Sequence, residues 1–336
     1  MKVAILGCGS LGGVMAARLA GQPDIDLTVI DSDPSITGSI RRDGLILRQG
    51  KKKSTHSIRL VDEAGAASWD VMILATKAIG LAETVEKLKE HTAPGACMVT
   101  VQNGLVALDL AEMLGNDRLV PGCVLWGASM EAPGVYRITN SGSFILGGLG
   151  GRDSEAAVAG AADVLRRIFP LRVSPNIRGV LWSKLAIAAS FTPLGAITGL
   201  AFGKLAASRA VRRIILAIGR ELFEVGRAEG VTFEPLGGGL DIQRFLSDRG
   251  YSPLLKHTLI RIIGHRHRRD ESSMLDSIRR GRKTELQFIN ERLVLGAERN
   301  EVPAPYNRLV VKLIREMERG ERRPGLDNLA AFGALQ

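Results

Sequence analysis

Apolar runs and helical repeats alternate over the first half of the chain. Val3-Ala4-Ile5-Leu6 is continuous and apolar, and it ends in Gly7-Cys8-Gly9-Ser10-Leu11-Gly12. Helical spacing follows, with Val14, Ala17, Leu19 and Ala20 apolar up to Gly21; Leu27-Thr28-Val29-Ile30 then reads as a second buried strand ending at Asp31. Val71 to Ala75 and Cys97 to Val101 repeat the pattern on either side of a helix-like stretch from Leu81 to Glu90. Runs apolar on both faces suit parallel strands covered by helices on each side. From Leu119 to Gly150 the segments shorten and alternate, as in Gly134 to Ile138 and Ser143 to Gly147, and these are expected to be sheet additions at the end of the first domain.

A helix near 153–168 precedes a change of character at Pro170, beyond which the pattern is helical, with segments near 177–202, 208–229, 254–263 and 271–299. The boundary is expected between Phe169 and Asn176. The chain is therefore an α/β protein, with an N-terminal doubly wound Rossmann-type domain over 1–170 and an all-helical C-terminal domain over 171–330. Leu185 to Gly203 is 19 residues without a formal charge, close to the length of a membrane span. Ser190, Thr192, Pro193, Gly195, Thr198 and Gly199 interrupt it, which predicts a buried helix that breaks near Pro193. The last dozen residues are expected to fray.

Composition narrows the class. Hydrophobic residues at 45% and charged residues at 24% exclude a predominantly disordered chain. Three scattered cysteines, Cys8, Cys97 and Cys123, form neither a disulfide framework nor a metal cluster, so a cytoplasmic protein without a metal is expected. Glycines crowd the apolar amino terminus, and no signal peptide is read there. The formal charge of +10 is concentrated in stretches such as Arg261 to Arg269. Such a stretch can be a solvated helix face, a field that steers an anionic cofactor and substrate, or a nucleic-acid contact; the absence of interleaved aromatics disfavours the last.

The glycine string gains meaning from its position. It follows a strand, opens a helix, and precedes Asp31 by 19 residues counted from Gly12, which is the context a dinucleotide fingerprint requires. Gly7 permits the turn, Gly9 lets the backbone approach a pyrophosphate, and Gly12 lets helix and strand pack closely. The N–H groups around Ser10 and Leu11, at the positive end of the helix dipole, then face the phosphates. Asp31 would accept hydrogen bonds from ribose hydroxyls and repel a 2′-phosphate, favouring NAD(H) over NADP(H). Arg41 and Arg42 follow closely and offer cations to such a phosphate, and Asp31 has the alternative of capping the next loop.

With these residues in view, the chain resembles the ketopantoate reductase (2-dehydropantoate 2-reductase) family across both domains. The resemblance rests on Gly7 to Gly12, Thr76-Lys77, Val101-Gln102-Asn103-Gly104-Leu105, Trp182-Ser183-Lys184-Leu185, and Ser272 to Asp276 continuing through Gly281 to Glu285. It implies reduction of a 2-keto acid to a 2-hydroxy acid by hydride from a nicotinamide, 2-dehydropantoate being the leading single substrate, as in pantothenate biosynthesis. The resemblance gives Lys184 the role of general acid. It sets Glu285 and Ser273 at the substrate, and Lys77 and Asn103 near the cofactor.

The residues themselves bear on these roles. Lys184 is the only ionisable side chain between Arg178 and Lys204, and an ammonium buried among apolar neighbours loses proton affinity, as a donor to an alkoxide should. The alternative is a snorkelling lysine with its head in water. Glu285 has the alternative of pairing with Lys283 or Arg282 on a surface, and Ser273 that of capping a helix that begins at Met274. Three positions depart from the family. Its members usually carry asparagines four and eight residues after the lysine, where this chain has Ala188 and Thr192, and a basic residue where it has Asp31. Alanine makes no side-chain hydrogen bond and threonine offers one hydroxyl, so a bulkier or more apolar 2-keto acid, or an imine formed from one, would suit the altered face.

Competing readings are another two-domain dehydrogenase of 3-hydroxyacid, opine or imine type, and a non-catalytic dinucleotide-binding sensor or scaffold. The partner expected is a small anionic keto acid, with no membrane and no nucleic acid. A symmetric homodimer built on an apolar helix of the second domain is one outcome for the assembly.

Overall fold

The computed structural model describes residues 1–63, 68–88, 92–115, 117–150, 154–237, 240–268 and 270–335. Lys89 and Glu90 of the helix expected over 81–90, Asp153 of that over 153–168, Arg269 of the basic stretch and Gln336 lie outside them. The chain divides into two compact units. The first comprises Met1–Gln102 and Val106–Ile177. Its strands are β1 (Lys2–Leu6), β2 (Asp26–Ile30), β3 (Leu45–Gln49), β4 (Lys52–His56), β5 (Arg59–Val61), β6 (Trp69–Leu74), β7 (Thr92–Thr100), β8 (Leu119–Val124), β9 (Gly127–Ala132), β10 (Val135–Asn140), β11 (Phe144–Leu146) and β12 (Leu171–Val173). Its helices are α1 (Ser10–Leu19), α2 (Pro34–Asp43), α3 (Leu81–Leu88), α4 (Val106–Leu114) and α5 (Glu155–Leu165).

The principal sheet has eight strands in the order β12-β11-β8-β7-β6-β1-β2-β5 and is parallel except where β11 meets β8. Val3, Ala4, Ile5, Met72, Ile73 and Leu74 are fully buried, which accounts for strands apolar on both faces. The chain leaves β1 for β2 and β5, then returns to the opposite side of β1 as β6, β7 and β8. The strand order therefore reverses between β1 and β6, and ligands of such sheets bind outside the carboxyl ends at this switch point. β12 belongs to this sheet, so the first unit runs a few residues past 170.

A second sheet, β4-β3-β10-β9, packs on α1. The segment 134–138, expected as a sheet addition, lies here, paired with β3 and β9. β4 has no apolar face to announce it, for Lys52 to Thr55 are all exposed. The second sheet holds the glycine turn in place. Tyr136 on β10 is fully buried, and its hydroxyl donates to the Cys8 carbonyl at 2.6 Å. Its ring lies against Gly13, where any Cβ would collide with it.

The second unit comprises Asn103–Leu105 and Arg178–Gln336, and among the described residues it contains no strand. It carries most of α6 (Ile177–Thr198), then α7 (Phe202–Ala207), α8 (Arg209–Ala228), α9 (Ile242–Leu246), α10 (Pro253–Arg266), α11 (Ser273–Arg279), α12 (Asn290–Arg299) and α13 (Pro305–Glu318). The helix expected over 271–299 is interrupted. Gly281 takes a φ of 63°, and a 3-10 turn over Glu285–Phe288 separates α11 from α12.

The expected break at Pro193 does not occur. Proline removes the N–H that would bond the carbonyl of Ala189, four residues earlier. Asn290 supplies the missing donor, its Nδ2 lying 2.9 Å from the Ala189 oxygen. The same amide nitrogen donates to Asn307 Oδ1 at 3.0 Å, and Asn307 Nδ2 donates to Glu221 Oε2 at 2.7 Å. Glu221 also accepts the backbone N–H groups of Tyr306 and Asn307. Burial holds its carboxyl above the usual carboxylate range, against the lowering effect of these bonds. α6 thus runs unbroken and mostly buried, as a core helix.

The carboxyl tail is packed where fraying was expected. Phe332 is fully buried against the Tyr306 ring, and Asn328 Nδ2 donates to the Ile197 carbonyl in the last turn of α6.

Two stability measurements test these contacts. Asn290→Ala should destabilise by about 1–3 kcal/mol in urea unfolding, because it orphans buried partners. In a Pro193→Ala background, where Ala189 regains a helical donor, the loss should shrink by about 1 kcal/mol; strict additivity would disprove the compensation. Tyr136→Phe should lower stability by about 1–3 kcal/mol by leaving the buried Cys8 carbonyl without its phenol. An unchanged urea midpoint would show that the turn does not depend on it.

Candidate active site

The glycine turn combines three different constraints. Gly7 has a φ of +94°, and its N–H donates to the Ile30 carbonyl at 2.8 Å. A Cβ there would also stand 2.7 Å from Thr76 Cγ2, at the end of β6. Gly12 packs against the Gly7 carbonyl so closely that no side chain fits. A Cβ on Gly9 would meet nothing within 4 Å, which leaves its backbone open to approach. Gly13 makes the first helical hydrogen bond, to Gly9 O at 2.8 Å. The N–H groups of Ser10, Leu11 and Gly12 belong to the first turn, whose donors a helix leaves to other acceptors.

Asp31 is fixed from both sides. Its Oδ2 accepts from the Cys8 N–H at 2.6 Å and its Oδ1 from the Asp33 N–H at 2.8 Å. The loop-capping role is thus real, and each oxygen keeps a further lone pair for another donor. A cavity of ≈ 530 Å³ opens beside it, lined by Gly7, Asp31, Thr76 and Lys87 and by two more acids, Asp62 and Glu63. Arg41 is paired with Asp62 at 2.8 Å, and Arg42 with Asp43 at 2.8 Å. Both arginines singled out in the sequence therefore have carboxylate partners. Burial pushes the Cys8 thiol up to about 12, so it stays protonated, and Cys8 acts as a small residue.

Lys77 follows β6 and is exposed. Gln102, part of the motif but given no role by sequence reasoning, donates through Nε2 to the carbonyls of Leu74 and Thr76 at 2.7 and 2.9 Å. It pins the end of β6 beside the glycine turn.

In the second unit, α6 has one open face. From Gly179 to Thr198 every residue is buried except Lys184, Ile187, Ala188 and Thr192, which are half-buried. Their spacing places them along one side of the helix. Lys184 is thus half-buried, not enclosed as its apolar neighbours in sequence suggested. Ile187 was missed by sequence reasoning, although its position three residues from Lys184 was the available signal.

Ser272, not Ser273, caps α11. Its Oγ accepts from the N–H groups of Met274 and Leu275 and donates to the Thr192 carbonyl at 2.6 Å. This bond brings the start of α11 to the open face of α6 and leaves Ser273 exposed without the capping duty. Glu285 is half-buried at the start of its 3-10 turn. The preceding Thr284 is anchored, donating through N and Oγ1 to Glu318 Oε1 at 2.7 Å each. Asn103 begins a short segment whose Gly104 has a φ of +84° and whose Leu105 N–H donates to Phe288 O at 3.3 Å. The segment is thereby seated against the turn that Glu285 opens.

Comparison with known proteins agrees with this arrangement at full length. The family described as "Ketopantoate reductase PanE/ApbA" matches residues 3–151, and "Ketopantoate reductase PanE/ApbA C terminal" matches residues 176–318. The 2-dehydropantoate 2-reductase of Pyrococcus abyssi is 27% identical over 321 residues, covering 95% of this chain and 98% of that protein. The corresponding protein of Mesorhizobium japonicum is 26% identical, with 95% and 99% covered. Among solved structures, a PanE/ApbA family ketopantoate reductase from Ralstonia eutropha superposes with a TM-score of 0.80 at 24% identity, over 96% of this chain and 99% of that one. A D-mandelate dehydrogenase in complex with NADH and anilino(oxo)acetate superposes with a TM-score of 0.79 at 22% identity, over 95% and 99%. The chain belongs to the ketopantoate reductase PanE/ApbA family and is an NAD(P)-dependent 2-hydroxyacid dehydrogenase of that type.

Proposed function

We propose that this enzyme reduces a 2-keto acid with NADH, and that Lys184 is its proton donor. The open face of α6 carries the reading: on an otherwise buried helix, an ammonium, an isoleucine, an alanine and a threonine are left accessible together. Bound NADH supplies the hydride that converts the C2 carbonyl into an alkoxide. The Lys184 ammonium hydrogen-bonds that oxygen and gives it a proton as charge develops, yielding the 2-hydroxy acid and a neutral amine that water reprotonates. Glu285 orients the ammonium or accepts from a substrate hydroxyl. The hydroxyls of Thr192 and Ser273 and the amide of Asn103 bind the substrate's polar groups.

Gly7, Gly9, Ser10, Leu11 and Gly12 hold the pyrophosphate, with Lys77 and Asn103 toward the nicotinamide end. Asp31 selects NADH. Three carboxylates line the cavity beside the turn, and Arg41 and Arg42 are already paired, so a 2′-phosphate would meet repulsion. 2-Dehydropantoate is the leading single substrate. A bulkier, more apolar 2-keto acid is the second reading, supported by Ile187 and Ala188 on the open face.

Oxidation of NADH and NADPH followed spectrophotometrically, with 2-dehydropantoate and with branched and aryl 2-keto acids, tests the proposal. Turnover should favour NADH, and Lys184→Ala should lower kcat by about 10²–10⁴-fold. Tight NADH binding with no turnover of any keto acid would replace the enzyme reading with a sensor. Turnover undiminished in the variant would assign the proton to another group.

A further inference from the structure

The charge of this chain is not spread over it. From Phe202 to Arg220 there are five Lys or Arg residues and no acid, and from Arg249 to Arg269 six more, with three histidines and again no acid. These eleven cations exceed the whole chain's net charge of +10, so the remainder is close to neutral. α7 and α10 lie within these stretches and are brought tightly together. Gly264 packs on Ala206 with no space for a side chain, and a Cβ on Gly203 would stand 2.7 Å from Arg268 Cα.

Between them runs a groove of ≈ 810 Å³, a size typical of small-molecule sites. Lys204, Arg261, His265 and Arg268 line it together with apolar Ala206 and Ile262, and among the described residues no acid does. Behind the groove lies Arg212, which is buried. Its Nη1 donates to the carbonyls of Ala206 and Ala207 at 2.8 and 2.7 Å, and its Nε to His257 Nδ1 at 3.2 Å. A buried guanidinium normally takes a carboxylate partner, and this one has none among the described residues. Burial holds its pKa down, and the charges of Arg261 and Arg209 add to the effect. α8, which carries it, opens with Arg209, Arg212 and Arg213 and has no acid in its first turn, against the sense of the helix dipole.

We propose that the α7–α10 groove binds a small, multiply charged phosphate-bearing molecule, with Lys204, Arg261 and Arg268 as its phosphate contacts. Guanidinium groups bind phosphate oxygens in pairs, and an anion there would relieve the mutual repulsion of the surrounding cations. Among the described residues no aromatic side chain lines the groove to stack a base, which favours a small phosphate over single-stranded nucleic acid. None of the residues assigned above to cofactor or substrate lines it.

Isothermal titration of the full chain with inorganic tripolyphosphate tests this, at fixed ionic strength and with saturating NADH to occupy the dinucleotide site. Saturable 1:1 binding is expected, weakened at least about tenfold in Arg261→Ala/Arg268→Ala and in a separate Lys204→Ala variant. All three positions are exposed, so both variants should keep the circular dichroism spectrum of the parent. Three results would overturn the proposal: no binding beyond a chloride control, equal binding in both variants, or an oligonucleotide that displaces tripolyphosphate and binds more tightly.

Discussion

The carbonyl of Ala189, deprived of its helical donor by Pro193 and bonded instead by Asn290, is the point on which the second unit turns. The residues proposed for proton transfer and substrate binding lie on either side of it, Lys184 and Ala188 before and Thr192 after. They form one row only if the helix does not kink. The donor belongs to a buried chain of amides and a carboxylate that ties α6 to α8, α12 and α13 through Asn290, Asn307 and Glu221. Networks of this kind specify a single arrangement because each member is costly to leave unpaired. That Glu221 is held in the network despite the burial that raises its pKa is consistent with such a role.

The first unit meets a similar demand by different means. A turn that presents backbone to an anion must consist largely of glycine, and glycine is the residue least able to hold one conformation. Rigidity is therefore supplied from outside the turn. Tyr136 holds the Cys8 carbonyl, Asp31 holds the Cys8 N–H, Gln102 holds the end of β6, and Gly13 admits the tyrosine ring. The small second sheet, which stands apart from the doubly wound sheet but shares its apolar core, serves as the mount for that tyrosine.

This difference explains what could be read in the chain and what could not. Val3 to Leu6 and Val71 to Leu74 are apolar on both faces and announce buried strands by local pattern alone. The polar strand Lys52 to His56 exists through its pairing with β3 and has no pattern of its own. Pro193 showed the loss of a donor, but the replacement comes from Asn290, far along the chain, so a break was the reasonable local expectation. The capping alternative fell one residue away because Ser272 and Ser273 are chemically identical in sequence, and they differ only in the folded contacts, where Ser272 caps α11 and bonds the Thr192 carbonyl. The resemblance to the family pointed to positions 188 and 192, and helical spacing puts them on the same face of α6 as Lys184. Ile187 has no hydrogen-bonding group, so only its spacing from Lys184 marks it in the sequence.

Charge is the property that sequence and structure present most differently. A net charge of +10 reads as a field over the whole molecule, able to steer any anion toward any site. Salt confines such a field to about 8–10 Å in solution. The surplus cations here sit on α7, α8 and α10, whereas the cavity beside the glycine turn is lined by three acids and one lysine. The dinucleotide binding proposed at that turn would therefore rest on backbone N–H groups and the α1 dipole, which act at contact. The concentrated positive charge of the helical unit acts on whatever anion comes within a few ångströms of it.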